Sequence, residues 1–365
     1  MPAKVEHNTT LTSLIAVMAV HWWCVFPVYA DSAQEIIVES NSVEIMSYQW
    51  LQKTKKIWRL CSCYPHLKDA YWLSVNYGMA SQANAMNAAL KVMDAGGYDE
   101  IERQRMQIQA CLNWGADAII LGAVSFNGLS EMIESVSRAV PVVATVNDVN
   151  DQGISAKTGV NWYQMGYKTG TFLAKRHPTG TATQKIALLL GSETAGWSQI
   201  TQQGFLEAIR NTALEVSIAK WGDTGRDKQL TLVEDVLEEA PDINYIVGSA
   251  VAAEVAVSEL RLRNLNDNIQ IISLYFSPGV YRGIKRNRIL AAPTDSPILQ
   301  GRLSVDQALR ILEKKPYLKE IGPKIIMLHS GNIETFDSQH SLTPPMFQPV
   351  YQLDPQVVEG KLQIP

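Results

Sequence analysis

The sequence lacks the short motifs that mark common catalytic and nucleotide-binding sites. It has no Walker loop, no dinucleotide-binding glycine fingerprint, no His-Glu-x-x-His metal motif and no Gly-x-Ser-x-Gly nucleophile turn. Histidine, the side chain most used in acid–base catalysis, is also scarce, with six in 365 residues. We therefore expect a protein that is not an enzyme and needs no cofactor.

A strong net charge is absent as well. The formal net charge is −4 at pH 7, which gives no basis for binding nucleic acid or an anionic membrane surface. With 46% hydrophobic residues, the chain is long enough to bury two separate cores. These totals predict a globular protein of two lobes.

Cysteine is rare, and one of the four, Cys24, lies near the N-terminus. Cys61, Cys63 and Cys111 remain, and an odd number in an oxidising compartment leaves one unpaired or all three reduced. Cys61 and Cys63 are separated by one residue and have no histidine nearby, so we expect no metal site. A disulfide between Cys61 and Cys111 remains open at this point.

The N-terminus has the pattern of an export signal. Lys4 is the only lysine or arginine before residue 53, and an apolar run follows it over residues 11–28. Val28 and Ala30 form a Val-x-Ala cleavage pattern ahead of Asp31, so we predict a signal peptide over 1–30. The alternative is a membrane anchor, since the run is nearly long enough to span a bilayer. Polar residues and a proline interrupt the run and favour cleavage, which leaves a mature protein without direct membrane insertion.

From residue 57 onward, short apolar runs alternate with amphipathic segments. The pattern predicts strands at 58–64, 90–94, 118–122 and 140–146, separated by helices at 71–89, 99–113 and 128–137. A second set begins at 186–190, with strands at 214–219, 245–249, 269–275 and 289–292, and helices at 197–211, 226–238, 251–263 and 278–286. Strands without polar alternation are typical of parallel sheets covered on both faces. We predict an α/β protein with two doubly wound parallel-sheet lobes and a ligand cleft between them.

Ligands of open α/β sheets bind beyond the carboxyl ends of the strands, and this rule selects candidate residues. The selected residues are rich in aromatic rings and poor in cations: Asp69, Tyr71, Trp72, Asn147, Asp148, Trp162, Glu193, Trp197, Gln199, Tyr275, Phe276, Thr294 and Asp295. Two of the carboxylates could form an acidic pair for hydrolysis, but aspartate is also a common helix cap. We expect no catalytic residue among them.

Four rings, Tyr71, Trp72, Trp162 and Tyr275, stand at strand ends or at the start of the second lobe. Large rings usually fill cores, and each could do so here. A group of rings at one cleft can instead recognise methylated ammonium groups through cation–π attraction, and Asp69 beside them would add attraction for positive charge.

Several long segments of the chain resemble one known family. They are 60–65, 68–79, 90–98, 159–167, 275–276 with 280–283, and 347–351. On these segments the chain resembles the ribose-binding-like, type I family of periplasmic binding proteins. Within that family it is similar to the sensors of the system that regulates trimethylamine N-oxide (TMAO) respiration.

The resemblance implies a ligand, a site and a partner. It implies a periplasmic protein that binds TMAO through Tyr71, Trp72, Trp162 and Tyr275, with Asp69 beside them. The implied partner is the periplasmic sensor domain of a membrane histidine kinase in a two-component system.

The resemblance also implies lobes built from discontinuous segments, because the family chain crosses between lobes three times. We place the crossings near residues 159, 295 and 321. The implied parts are an N-terminal arm at 31–55, an N-terminal lobe at 56–159 plus 296–321, and a C-terminal lobe at 160–295 plus 322–365.

Two other functions fit the same fold. A sugar- or polyol-binding protein of an ABC transporter shares the lobes and the leader, but its pocket would hold asparagine, aspartate and arginine for hydroxyl groups. A repressor of the same fold needs a helix-turn-helix and a basic face, whereas this chain begins with an export signal.

Overall fold

The computed structural model describes residues 37–40 and 44–355, with side chains described from residue 47 onward. The predicted signal peptide at 1–30 lies outside the described residues, as does part of the predicted arm at 31–55. In the part of the chain that is described, no helix is both long enough and apolar enough to cross a membrane.

Fifteen strands and nine α-helices are formed within these residues. The strands are β1 (Ile37–Ser40), β2 (Glu44–Ser47), β3 (Arg59–Tyr64), β4 (Ala89–Asp94), β5 (Ala118–Leu121), β6 (Val142–Thr145), β7 (Ala156–Thr158), β8 (Gln184–Leu190), β9 (Leu214–Trp221), β10 (Tyr245–Gly248), β11 (Gln270–Ser273), β12 (Ala291–Thr294), β13 (Glu320–Pro323), β14 (Ile326–His329) and β15 (Gln352–Leu353). The helices are α1 (Ala70–Ala85), α2 (Ile101–Asn113), α3 (Ser130–Ser137), α4 (Trp162–Ala174), α5 (Gly196–Ile209), α6 (Arg226–Glu239), α7 (Ala250–Leu262), α8 (Pro278–Lys285) and α9 (Pro297–Leu312).

The first lobe is built on a nine-stranded sheet in the order β15-β4-β3-β5-β6-β7-β13-β1-β2. Its six inner strands, from β4 to β13, pair in parallel, while β15 at one edge and β1 and β2 at the other pair antiparallel. β5 and β6 are buried along their whole length, as apolar strands covered on both faces should be. We call this the N-lobe.

The second lobe is built on a four-stranded parallel sheet in the order β11-β10-β8-β9. β12 and β14 form a separate antiparallel pair, and the residue before β12, Leu290, donates its N–H to Ile271 of β11. We call this the C-lobe. The two doubly wound lobes confirm the fold class predicted from the sequence.

Helices α1 and α9 cross very closely on the N-lobe. A Cβ atom at Gly78 of α1 would lie 2.0 Å from the carbonyl oxygen of Ile298, and one at Gly301 of α9 would lie 2.2 Å from that of Val75. Glycine at both positions removes the side chains that would hold the backbones apart. This crossing fixes the start of α1, which carries three of the predicted site residues.

The N-terminal arm joins the N-lobe. β1 pairs with β13, and farther along the arm the Tyr48 hydroxyl donates to the Asp306 carboxylate of α9. The N–H of Leu51 donates to the second oxygen of Asp306 at 3.0 Å. The arm is therefore attached both at the edge of the sheet and on a covering helix.

Cys61 on β3 and Cys111 on α2 form a disulfide, with Cα atoms 5.6 Å apart. Cys63 is buried and free, and its Sγ lies 3.5 Å from that of Cys111. The two cysteines of β3 are two residues apart, so they point to the same face of the sheet, toward α2.

The predicted elements agree with the structure to within a few residues, but the segments between and after the two sets were not predicted. They form β7, α4, α9, β13, β14 and β15. One lobe assignment needs correction. Residues 322–365 were placed in the C-terminal lobe, whereas Gln352–Leu353 pair with β4 of the N-lobe. The side-chain amide of Asn76 also exchanges two hydrogen bonds with the Val350 backbone, so the end of the described chain returns to the first lobe.

Candidate functional site

A small cavity lies between the two sheets, at the carboxyl ends of their strands. Its lining contains all five residues predicted for the ligand site: Asp69, Tyr71, Trp72, Trp162 and Tyr275. Tyr98, Val146, Asn147, Trp197 and Thr224 complete the lining. The centre of a water molecule can move through about 10 Å³ of the cavity, which is the space of about one water.

Helix α1 presents three of the lining residues at its first turn. Asp69 is the N-cap, and its Oδ1 accepts the Trp72 N–H at 2.9 Å, which fixes where the helix begins. Its other oxygen, Oδ2, lies 3.5 Å from Thr224 Oγ1 of the C-lobe. Burial raises the pKa of Asp69, and the nearby His66 opposes that rise. The aspartate is thus both a helix cap and the only carboxylate in the cavity wall.

Tyr275 is the centre of the aromatic cluster. Its ring packs edge to face with Tyr71 at 5.2 Å, Trp197 at 5.6 Å and Trp162 at 6.4 Å between centroids. Trp162 and Trp197 are themselves 5.3 Å apart. All four rings are nearly fully buried, and they come from both lobes. The rings therefore pack as a core does, but around a cavity.

Two of the polar groups on these rings already have partners in the protein. The Tyr71 hydroxyl donates to Asp295 Oδ2 at 2.6 Å, and the Trp162 Nε1–H donates to the Val146 carbonyl oxygen at 2.7 Å. The Tyr275 hydroxyl makes no hydrogen bond with any residue in the described part of the chain. Burial raises the pKa of Tyr275 well above its usual range, so the hydroxyl keeps its proton and can donate it.

Tyr98 and Asn147 form the polar side of the cavity. The Asn147 Nδ2 group donates to the Ala123 carbonyl at 2.8 Å and lies 3.2 Å from the Tyr98 hydroxyl oxygen. Burial also raises the pKa of Tyr98, so this phenol is neutral. The pair supplies polar atoms to the cavity without adding charge.

A buried network of hydrogen bonds with Asp295 and Gln300 holds the Tyr71 hydroxyl in place. Gln300 donates through Nε2 to the Tyr71 hydroxyl at 3.2 Å and to the Asp295 carbonyl oxygen at 2.6 Å. Asp295 Oδ1 and Gln300 Oε1 are buried and have no partner among the described residues. Burial raises the pKa of the Asp295 carboxyl to about 7, although the Tyr71 hydrogen bond acts in the opposite direction. Tyr71 is therefore positioned by a carboxyl group whose charge changes near neutral pH.

The backbone beside Trp162 is strained. Val146 has φ of +63°, a conformation that β-branched residues rarely adopt, and Asn147 donates its N–H across it to the Thr145 carbonyl at 2.7 Å. Such strain costs on the order of 1–3 kcal/mol and persists only where surrounding contacts hold it. Here the indole of Trp162 holds the Val146 carbonyl from the other lobe.

Two glycines leave room for the cavity rings. A Cβ at Gly122, just after β5, would lie 2.5 Å from the Trp72 ring, and one at Gly191, just after β8, would lie 2.1 Å from Trp197. Any side chain at these positions would move the rings. The two strand ends of the two lobes therefore play the same packing role.

The rule of strand ends selected more residues than line the cavity and missed three that do line it. Asp148, Glu193, Gln199, Phe276, Thr294 and Asp295 do not line the cavity, although Asp295 supports Tyr71. Tyr98, Val146 and Thr224 do line it and were not selected. Tyr98 follows the end of β4 by four residues and Thr224 follows β9 by three, so the same rule applied to those strands would have found them.

Among the residues that the structure describes, no group of three histidine, cysteine, aspartate or glutamate side chains could hold a metal ion. The cavity wall contains neither lysine nor arginine. The site can offer ring faces, neutral donors and one carboxylate.

Comparison with known proteins identifies the family. The family model described as "Periplasmic binding protein domain" matches residues 63–316. The periplasmic protein TorT of Escherichia coli (strain K12) is 37% identical over 301 residues, which cover 82% of this chain and 86% of that protein.

Two solved structures extend the comparison. A chain from the complex of the TorS sensor domain with TorT in the presence of TMAO is 42% identical, with a TM-score of 0.73, and the match covers 80% of this chain and 99% of that one. An ABC transporter solute-binding protein from Bradyrhizobium sp. BTAi1, with bound bis-Tris, is 40% identical, with a TM-score of 0.74 and coverage of 87% and 98%. These relatives are binding and sensor proteins, not enzymes. The chain thus belongs to the periplasmic binding proteins, and within them to the group of the periplasmic protein TorT.

Proposed function

We propose that this periplasmic protein binds TMAO in the aromatic cavity and signals its presence to a membrane histidine kinase with a TorS-like sensor domain. The observation that carries the proposal is the composition of the cavity wall: six aromatic rings and one carboxylate line it, and neither lysine nor arginine does. A complex of the relative TorT with the TorS sensor domain has been solved in the presence of TMAO.

The chemistry of the ligand matches the cavity wall. TMAO carries three methyl groups on a positively charged nitrogen and one oxygen that accepts hydrogen bonds. The faces of Tyr71, Trp72 and Trp162 can surround the methyl groups, with cation–π attraction of up to about 2 kcal/mol for each desolvated contact. Asp69 adds a negative charge beside the cationic nitrogen. The predicted ligand set of Asp69, Tyr71, Trp72, Trp162 and Tyr275 therefore stands as our proposal.

Tyr275 is the donor that we assign to the N-oxide oxygen. Tyr71 and Trp162 already donate to Asp295 and to the Val146 carbonyl, so neither is free for the ligand without losing a bond. Tyr275 lines the cavity, and the raised pKa of its hydroxyl keeps the proton on the oxygen. A buried donor without a protein partner is favourable only if a ligand or water accepts from it.

The lobe boundaries support a closing motion. The predicted crossings near 159, 295 and 321 fall directly after β7, directly after β12 and within β13. We propose that these three segments form the hinge and that TMAO stabilises the closed arrangement of the lobes. A kinase domain that binds one arrangement better would then respond to ligand, and by linkage would change TMAO affinity by the same factor.

Calorimetric titration of residues 31–365 tests the ligand. We expect saturable binding of TMAO, weaker binding of choline and glycine betaine because their arms exceed the cavity, and no binding of ribose. Trp72→Ala and Trp162→Ala should abolish the heat of binding. Trp114→Ala is the matched control, because Trp114 lies at the end of α2 and does not line the cavity. Binding of ribose without binding of TMAO would refute the proposal.

A second titration tests the partner. The TMAO affinity of the protein is measured alone and in the presence of a saturating TorS-like sensor domain. We expect a change of about fivefold or more, typical of allosteric coupling. Identical affinities would show that the sensor domain does not distinguish the ligand-bound form.

A transport role is the second candidate, and one observation favours it. The Bradyrhizobium relative is as similar to this chain as the TorT structures are, and it is described as an ABC transporter protein. Both roles allow TMAO binding, so only the partner experiment separates them. Ligand binding without any interaction with a sensor domain would favour transport.

A further inference from the structure

The β9–α6 loop, residues 222–225 of the C-lobe, contacts the N-lobe through side chains that the proposed ligand chemistry does not require. Asp223 Oδ2 accepts the backbone N–H of Tyr98 at 2.8 Å, and its Oδ1 lies 3.8 Å from Lys68 Nζ. The next residue, Thr224, places Oγ1 2.9 Å from His66 Nε2. Tyr98, Lys68 and His66 all belong to loops that follow N-lobe strands. We refer to residues 222–225 as the clasp loop.

The clasp loop is packed closely against its partner loops. Thr224 is 2% exposed and His66 is fully buried, while the Asp223 side chain is 14% exposed. A Cβ at Gly97 would lie only 3.0 Å from Asp223 Oδ2, so the carboxylate sits directly on the backbone of the 94–98 turn. The carboxylate also accepts the Gly225 N–H at 2.7 Å, which holds its orientation within its own loop. The Asp223 carboxylate is therefore held in the orientation that accepts the Tyr98 N–H by a bond within its own loop.

The Asp223 contact of the clasp loop differs from other contacts between the lobes, because it is made by a side chain outside the cavity wall. Trp162, Tyr71 and Tyr275 meet around the cavity, where a ligand would touch them. Phe126 and Thr194 meet through backbone atoms, at 3.1 Å. Asp223 contacts the opposite lobe through its side chain and is not part of the cavity wall.

The contact between the clasp loop and the N-lobe is nevertheless adjacent to the cavity on both sides. Tyr98, whose N–H binds Asp223, places its ring in the cavity wall, and Thr224, next to Asp223, does the same. A ligand that orders these two side chains also orders the backbone that the carboxylate binds. Formation of the hydrogen bond between Asp223 and Tyr98 and binding of a ligand in the cavity should therefore stabilise each other.

We propose that Asp223 is a positioning residue that latches the closed arrangement of the lobes and so slows release of the ligand. The effect on ligand release rests on the proposed binding of TMAO. The effect on the arrangement of the lobes does not. The hydrogen bond between Asp223 and Tyr98 joins opposite lobes, so it forms only in the closed arrangement. Opening replaces it with bonds to water and leaves the Gly225 bond in place.

Stopped-flow measurement of tryptophan fluorescence, with three tryptophans in the cavity wall, gives the rates of TMAO binding and release. We expect Asp223→Ala to raise the release rate about tenfold with little change in the association rate, as loss of one hydrogen bond to a charged group implies. Asp227→Asn is the matched control: it removes one negative charge four residues away on α6, at an exposed position whose side chain forms no hydrogen bond or ion pair with the described residues of the N-lobe. The control should bind and release TMAO at the wild-type rates.

The distance between spin labels on the two lobes gives a second measurement that needs no ligand. In the absence of TMAO, Asp223→Ala should shift the distance distribution toward open forms, while Asp227→Asn leaves it unchanged. Unchanged release and an unchanged distribution in Asp223→Ala would overturn the latch. If the wild-type protein bound no TMAO, the proposed function would fail, and the distance distribution alone would decide the latch.

Discussion

Replacing Asp295 with asparagine should remove a large part of the pH dependence of the protein's stability. The carboxyl group is fully buried, donates nothing in its ionised form, and has one oxygen without a partner among the described residues. Burial raises its pKa to about 7 from an ordinary value of 3.8. Asparagine keeps an acceptor for the Tyr71 hydroxyl but has no charge to bury.

The sign and size follow from proton linkage. Between pH 4 and pH 7 the folded protein retains the Asp295 proton while the unfolded chain releases it, so stability falls as pH rises through this window and is constant above it. A difference of about three pKa units corresponds to about 4 kcal/mol over the whole window, and about 3 kcal/mol of it falls between pH 5 and pH 8.

Urea denaturation of the wild type and of Asp295→Asn at pH 5 and pH 8 measures the effect. The free energy of unfolding of the wild type should fall by about 3 kcal/mol more than that of the variant over this range. Burial also raises the pKa values of Asp69 and Glu254, but both residues remain in the variant, so their contribution cancels in the comparison. Equal changes in the two proteins would refute the view that Asp295 is a neutral acid below pH 7.

Three further outcomes are expected. Gly122→Ala should displace the Trp72 ring, which should weaken TMAO binding at least tenfold in calorimetry and lower the free energy of unfolding by about 1–3 kcal/mol through overpacking. Adding Trp72→Leu to this variant should restore stability but not TMAO binding. Tyr275→Phe should weaken TMAO binding about tenfold and leave the melting temperature within about one degree, because the hydroxyl has no protein partner; equal binding would exclude it as the N-oxide donor. Reduction of the Cys61–Cys111 disulfide, which spans 50 residues, should lower the free energy of unfolding by about 4 kcal/mol in urea, and an unchanged midpoint would contradict this.

Local sequence pattern was sufficient for most strands and helices of the two parallel sheets and for much of the site. Apolar runs such as 118–122 have no polar alternation, which is typical of strands covered on both faces and led to the prediction of two parallel sheets. Ligand sites of such sheets lie at strand ends, and this brought Tyr71, Trp162 and Tyr275 onto one list although 204 residues separate the first from the last.

Other features depend on contacts between distant segments and leave no local pattern. The return of Gln352–Leu353 to β4 is one example, because a two-residue edge strand has no periodicity to detect. Asp295 is another: as a residue type it could be a cap, a ligand or a catalytic acid, and only its burial behind Tyr71 makes it a neutral acid.

The sequence by itself determined most of the strands and helices of the two parallel sheets and the aromatic composition of the site, since each depends on residues close together in the chain. The tertiary structure alone decided which ring donors are already engaged, which cysteine pairs with Cys111, and that Asp223 joins the two lobes. Hydrogen bonds depend on distances of a few tenths of an ångström between atoms brought together by folding, and residue types and spacing do not specify those distances.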